Sequence, residues 1–244
     1  MAKFTEFRYR ITNINDRVVV NKDKLTNWDM PFAANCSFGL KYLQISVCCH
    51  IFVLYFRIRY SKNEVKMKIG VFCSANEMID RDFFAATREL GTWIGKHGHT
   101  LVFGGCDMGL MQCVAKAVHE AGGQTIGVVP TKVEEHGRVS EYVDVHIPTA
   151  NLSDRKDLLL AHSDVCVALP GGVGTLDEIF TVVASHTIGY HSKRVILYNV
   201  KDFWKMLIGL LNDIEIQGML RGRREDYIQV ADTFEELVSL LDPR

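Results

Sequence analysis

The stretch "ALPGGVGTLDEIF", residues 168–180, gathers the residue types most suited to chemistry: Pro170, Gly171, Gly172, Val173, Gly174, Thr175 and Glu178. Pro170 closes an apolar run, the glycines let a ligand approach the backbone closely, and Thr175 opens the next helix. Such a turn aims backbone N–H groups and the positive end of a helix dipole at one point, so it suits an anion. Phosphate fits better than carboxylate, because the loop is long enough to wrap three oxygens and the Thr175 hydroxyl can donate to one of them. Thr175-x-x-Glu178 also fits a capping box, in which the two side chains satisfy free backbone donors at a helix start. Thr233-x-x-Glu236 repeats that spacing with no glycine loop before it. A cap does not require Pro-Gly-Gly-x-Gly ahead of it, so the glycines argue for a ligand, whereas Glu178 alone argues little. No Gly-Lys-[Ser/Thr] follows, which speaks against a nucleoside triphosphatase.

Two further stretches stand beside this one. "LSDRKDLL" (152–159) places Arg155 and Lys156 on a helical segment whose Leu152, Leu158 and Leu159 are expected to face the core. The charged pair is either a solvated helix face or a ligand contact. "FGGCDMGLM" (103–111) is a glycine-rich strand-to-helix turn in which Gly104 and Gly105 either hold a base or ribose or simply need to be small for packing. It matches G-x-G-x-x-G only loosely, and no acid at the right distance supports a dinucleotide site.

The elements that must position these residues alternate short β-branched runs with longer amphipathic segments. Strands are expected at 68–74, 100–105, 124–130, 142–148, 164–170, 194–200 and 227–231, the last at an edge. Helices are expected from about Asp80 to Lys96, from Gly109, from Thr175 and from Thr233 to Leu241, with a polar loop after Pro130. "DVCVALP" (164–170) is nearly all apolar, as a central strand covered on both faces must be. Five or six of these runs forming a mostly parallel sheet give an α/β fold, doubly wound and Rossmann-like, with helices on both faces. Ligands then bind beyond the carboxyl ends of the strands.

With 48% hydrophobic and 23% charged residues, the 244-residue chain can bury a full core, and its net charge of −1 argues against nucleic acid or a membrane surface as partner. The average hides a split: residues 1–66 carry eleven Lys or Arg against five Asp or Glu, residues 67–244 seventeen against twenty-four. Eighteen of the 19 glycines lie in the second part, so 67–244 is read as a compact α/β domain. Residues 1–66 are read as an N-terminal extension, non-native or poorly ordered. Its apolar run at 40–56 is short for a bilayer span and starts too late for a secretory signal, leaving a buried element, a weak anchor or a foreign stretch as readings. The seven cysteines (Cys36, Cys48, Cys49, Cys73, Cys106, Cys113, Cys166) include no C-x-x-C pair and read as reduced thiols of a cytoplasmic protein. The nine histidines show no metal-ligand spacing, so no metal is expected.

Taken together, Pro170-Gly171-Gly172-x-Gly174-Thr175-x-x-Glu178, Arg155-Lys156 and Gly104-Gly105 before Gly109-Leu110-Met111 resemble the LOG (Lonely Guy) family. Its members are cytokinin riboside 5′-monophosphate phosphoribohydrolases, also filed as lysine decarboxylase-like. The resemblance covers residues 67–244 and implies that they are the nucleotide-binding α/β catalytic domain. It implies hydrolysis of the N-glycosidic bond of AMP or an N6-modified AMP to free base and ribose 5-phosphate, with no metal or organic cofactor, by a homodimer with the site near the subunit contact. On that reading Gly171 to Thr175 hold the 5′-phosphate, Lys156, Gly104 and Gly105 add substrate contacts, and Arg155 and Glu178 carry the chemistry.

This chain departs from the family at Cys106 and Gln112, where glycines are usual, at Asp177 for a glutamate, at Ala184 for a threonine and at Arg194 for a proline. The loop from Thr131 to Tyr142 is also shorter. These departures leave the choice of base open. A non-catalytic carrier of a nucleotide or molybdopterin-type cofactor is the alternative on the same scaffold, and retention of both Arg155 and Glu178 favours the enzyme. Lysine decarboxylation would need pyridoxal phosphate on a lysine, for which no sequence context argues.

Overall fold

Seven runs pair into one sheet: β1 (Lys68–Phe72), β2 (Thr100–Phe103), β3 (Gln124–Pro130), β4 (Val145–Thr149), β5 (Val165–Ala168), β6 (Val195–Tyr198) and β7 (Ile228–Ala231). Their spatial order is β4-β3-β2-β1-β5-β6-β7, and every neighbouring pair is parallel. The computed structural model describes Asn13–Ile14, Arg17–Val18 and residues 66–242. The chain divides into units Met1–Asn63 and Glu64–Arg244. In the first unit Asn13–Ile14 pairs antiparallel with Arg17–Val18; the readings of the run at 40–56 lie outside the described residues. Among the described residues no helix is long and apolar enough to cross a membrane.

Strand periodicity explains why helices cover both faces. Successive side chains point to opposite sides of a sheet, so Ile69, Val71, Val167 and Ile196 join one core with α1 (Arg81–Lys96), α2 (Gly109–Glu120) and α8 (Phe234–Leu241). Phe72, Cys166, Ala168, Val195 and Leu197 join a second core with α4 (Leu152–His162), α5 (Val173–Thr187) and α6 (Lys205–Ile216). The short α3 (Thr131–Glu135) and α7 (Arg224–Tyr227) complete the connections. Burying each Val, Leu, Ile or Phe side chain among them is worth about 1.5–3 kcal/mol, so neither face of β5 tolerates a polar residue without a partner.

Several expectations shift in detail. The sheet has seven strands, all parallel, rather than five or six. The run at 142–148 pairs only from Val145 to Thr149, because Tyr142 and Asp144 are engaged by the Thr125 hydroxyl instead. A turn of helix, α3, occupies part of the polar loop. Leu159 is buried as expected, but Leu152, the first residue of α4, is 62% exposed at the helix tip.

The strand order reverses between β1 and β5, which lie side by side in register from Ile69 against Val165 to Phe72 against Ala168. In a sheet wound both ways, the chain leaves such neighbours in opposite directions and a crevice opens beyond their carboxyl ends. Backbone bonds from Leu169 N–H to Phe72 O (2.9 Å) and from Ser74 N–H to Pro170 O (3.2 Å) carry the pairing past the strands and fix the floor of that crevice.

Candidate active site

Beyond Ala168 the chain runs through Leu169 and Pro170 into Gly171 and Gly172, and α5 begins at Val173. Gly172 is the cap residue and provides no side-chain hydrogen bond to the first turn. The first N–H groups of a helix have no intrahelical acceptor, so those of Val173, Gly174 and Thr175 point out from the switch point, uncapped. A Cβ at Gly172 or Gly174 would meet nothing within 4 Å. Gly171 differs: a Cβ there would run into the Thr175 side chain, which folds back against it. Thr175 is therefore the third helical residue and buried, not the cap.

The capping-box alternative is thereby decided for Glu178. The control pair does form the box: Thr233 Oγ1 accepts from Glu236 N–H at 3.2 Å, and Glu236 Oε2 accepts from Thr233 N–H at 3.3 Å. Glu178 instead accepts from Arg155 Nη1 at 2.8 Å. α5 supplies the acid and α4 the base; α4 starts where the Asn151 side chain accepts from Ser153 and Asp154 N–H, both at 2.9 Å. The pair is deeply covered, with side-chain exposures of 12% for Arg155 and 5% for Glu178.

Arg155 is also held from the other side. A Cβ at Gly104 would collide with Arg155 Nη2 and lie 3.2 Å from Met111 Sδ, so the glycine turn after β2 forms a shelf for the guanidinium. Gly105 has a φ of +72° and packs against Val129, a backbone state that L side chains rarely adopt. Arg155 Nε is buried with no partner among the described residues, an unsatisfied donor in the wall of the site.

One position along each helix, Lys156 Nζ donates to Asp177 Oδ1, also at 2.8 Å, at exposures of 20% and 52%. The structure thus brings Arg155, Lys156, Gly104, Gly171, Thr175 and Glu178 around one crevice, with Gly105 buried just behind. Asp177 enters as the partner of Lys156; the sequence marks it only as a departure from the family.

Electrostatics follow burial. Loss of hydration pushes the Glu178 carboxyl above its ordinary range, against the opposing pull of Arg155. The Cys73 thiol, at the end of β1, is pushed well up by burial and next by the Glu178 charge, so it is a protonated neighbour of the pair rather than a nucleophile. Cys73 is a reduced thiol as read from the sequence, but its place beside Glu178 had no signal there, because an apolar run ending in Cys looks the same wherever it lies. A cleft of about 480 Å³ is lined by Asp107, Gly109 and Gln112, which follow the Gly104 turn in the chain, together with Glu77 and Arg88.

Comparison with known proteins identifies the family. Residues 111–241 match the family model described as "Possible lysine decarboxylase". A cytokinin riboside 5′-monophosphate phosphoribohydrolase of Arabidopsis thaliana is 33% identical over 175 residues, 72% of this chain and 81% of the relative. A probable enzyme of the same description from Oryza sativa subsp. japonica is 32% identical over 72% of both chains. Among solved structures, the Moco carrier protein of Chlamydomonas reinhardtii aligns with a TM-score of 0.55 and 26% identity, covering 72% of this chain and 95% of that one. The X-ray structure of TM1055 aligns with a TM-score of 0.58 and 27% identity, covering 73% and 99%. By family model and by relatives alike, the chain belongs to the LOG family of cytokinin riboside 5′-monophosphate phosphoribohydrolases.

Proposed function

We propose that this protein hydrolyses the N-glycosidic bond of a nucleoside 5′-monophosphate, AMP or an N6-modified AMP, to free base and ribose 5-phosphate. The observation that carries the reading is the buried Arg155–Glu178 pair, 2.8 Å apart, beside an uncapped helix start. Water adds its oxygen to C1′ as the C1′–N bond breaks. The bonding electrons leave with the base, which ends with the proton that water gives up. Positive charge builds on the ribose in this step, and a carboxylate near C1′ stabilises it while orienting or deprotonating the water. Glu178 is that carboxylate. Arg155 holds it in place or takes the ribose hydroxyls.

The 5′-phosphate lies on the N–H groups of Val173, Gly174 and Thr175, with Lys156 close by, remote from the bond that breaks. That grip fixes orientation. The chain works as a cytoplasmic homodimer without metal or organic cofactor. Likeness to a Moco carrier protein favours a second reading, a carrier that binds a phosphorylated cofactor without cleaving it. A carrier needs the glycine turn but has no use for a carboxylate buried against an arginine. Incubation of the full chain with AMP, N6-isopentenyl AMP, GMP and CMP, followed by chromatography, tests the two. Free base and ribose 5-phosphate in equal amounts support the hydrolase, and the ranking names the base. Binding without release from any of the four supports the carrier.

A further inference from the structure

Two ion pairs join α4 to α5 at consecutive positions, and their surroundings differ. Arg155 and Glu178 are both nearly buried, so parting them would leave a charge unpaired away from water. Lys156 and Asp177 meet at the same 2.8 Å, but Asp177 is 52% exposed. Water can take over an exposed carboxylate at little cost. One pair is therefore fixed and the other exchangeable. Asp177 follows Gly174 by three positions and Val173 by four, so it lies on the same face of α5 about one turn, roughly 5.4 Å, below the uncapped N–H groups. A lysine ammonium is a point charge on a four-carbon stem and can swing over that distance.

We infer that Asp177 is a positioning residue that parks Lys156, and that a phosphate dianion arriving at the start of α5 takes the lysine from it. The inference rests on the phosphate placement proposed above. A monoanionic carboxylate exchanges for a dianion with more acceptor oxygens, and the released carboxylate is hydrated. A nucleoside without phosphate cannot drive the exchange, so the parked lysine favours phosphorylated ligands, and it leaves the cradle without a free cation for weaker anions.

Calorimetric titration of the full chain with inorganic phosphate, AMP and adenosine tests this in a double-mutant cycle. Lys156→Met is expected to weaken phosphate and AMP by about tenfold, the loss of one charge-assisted contact. Asp177→Asn is expected to tighten both by about two- to fivefold, the strength of an exposed pair no longer opposed, and to leave adenosine unchanged. In the Lys156→Met background, Asp177→Asn is expected to do nothing. Tightening that persists without Lys156 would show a mere field effect of the carboxylate and overturn the inference. So would weakened phosphate binding in Asp177→Asn, an equal effect on adenosine, or absence of phosphate binding in the unaltered protein. Because inorganic phosphate has no glycosidic bond to cleave, its binding is read without turnover, and phosphate that binds with this pattern beside an AMP that is not cleaved refutes only the hydrolase.

Discussion

The molecule has two glycine-rich strand-to-helix turns at the carboxyl edge of its sheet, and they are built for opposite purposes. After β2, Gly104 is small because the Arg155 guanidinium lies on it, and Gly105 is needed for a φ of +72° against Val129. Both are buried, and the space a side chain would need is already filled. After β5, Gly172 and Gly174 border open space, in front of backbone N–H groups that no side chain caps among the described residues. Glycine in the first turn makes room for the protein's own Arg155, whereas in the second it leaves open the space proposed above for the phosphate. The same residue type in the same topological setting is therefore a packed support in one turn and an open rim, the proposed phosphate cradle, in the other, once the atoms facing each Cα are known.

The sharpest break of that comparison comes at Glu178, which the support holds and the cradle faces. Glu178→Gln keeps the shape and an acceptor for Arg155 but cannot take a proton, and kcat for base release is expected to fall by about 10²–10⁴-fold. AMP affinity should remain, since the cradle is intact; lost affinity with normal turnover of what binds would refute the assignment. The pH dependence gives a second view. Burial raises the Glu178 carboxyl, and the base must be ionised to act, so kcat falls as pH drops through that raised value. The acid limb is expected above the usual carboxylate range, with a tenfold loss per unit below it. A limb at or under the ordinary glutamate value would show that Arg155 outweighs burial.

Substitutions in the packed turn come next. In Gly104→Ala the new methyl meets Arg155 Nη2 and Cζ, the far end of a side chain that could swing away were it not tied to Glu178. Displacement of the guanidinium is expected to lower kcat more than Tm. Gly105→Ala places a side chain in a left-handed conformation against Val129, at a cost of about 1–2 kcal/mol for the backbone alone. Its principal effect is a lower Tm in thermal unfolding. If the two variants show the reverse pattern, the supporting role of Gly104 fails.

Sequence carried the architecture and the open glycine turn after β5 because both are written in local pattern. Alternating apolar runs gave each strand, the nearly continuous "DVCVALP" marked the centre of the sheet, and Pro-Gly-Gly-x-Gly-Thr marked the turn beyond it. What it could not carry was pairing at a distance. Thr175-x-x-Glu178 and Thr233-x-x-Glu236 share one pattern, and the start of α5 at Val173 together with the arrival of Arg155 from α4 separates a buried ion pair from a cap. The partnership of Lys156 with Asp177 and the seat of Arg155 on Gly104 likewise join residues 21 and 51 positions apart. Leu152 was misplaced for a related reason, since helical periodicity does not say where a helix overhangs the sheet that it covers.

The smallest expected effect is also the cleanest test of the cradle. Gly174 is within α5, has nothing within 4 Å of a built Cβ and lies among the uncapped N–H groups. In a helix, glycine is less favourable than alanine by about 0.5–1 kcal/mol, so Gly174→Ala should leave Tm unchanged or raise it slightly. A methyl there occupies the space that a phosphate oxygen needs to reach the backbone, so KM for AMP should rise while kcat holds, because the phosphate is far from the bond that breaks. A glycine kept for the fold would give the opposite result, with lower Tm and unaltered KM. A stable protein that has lost only its hold on phosphate would mean that the second turn is shaped by its ligand, as the first is shaped by Arg155.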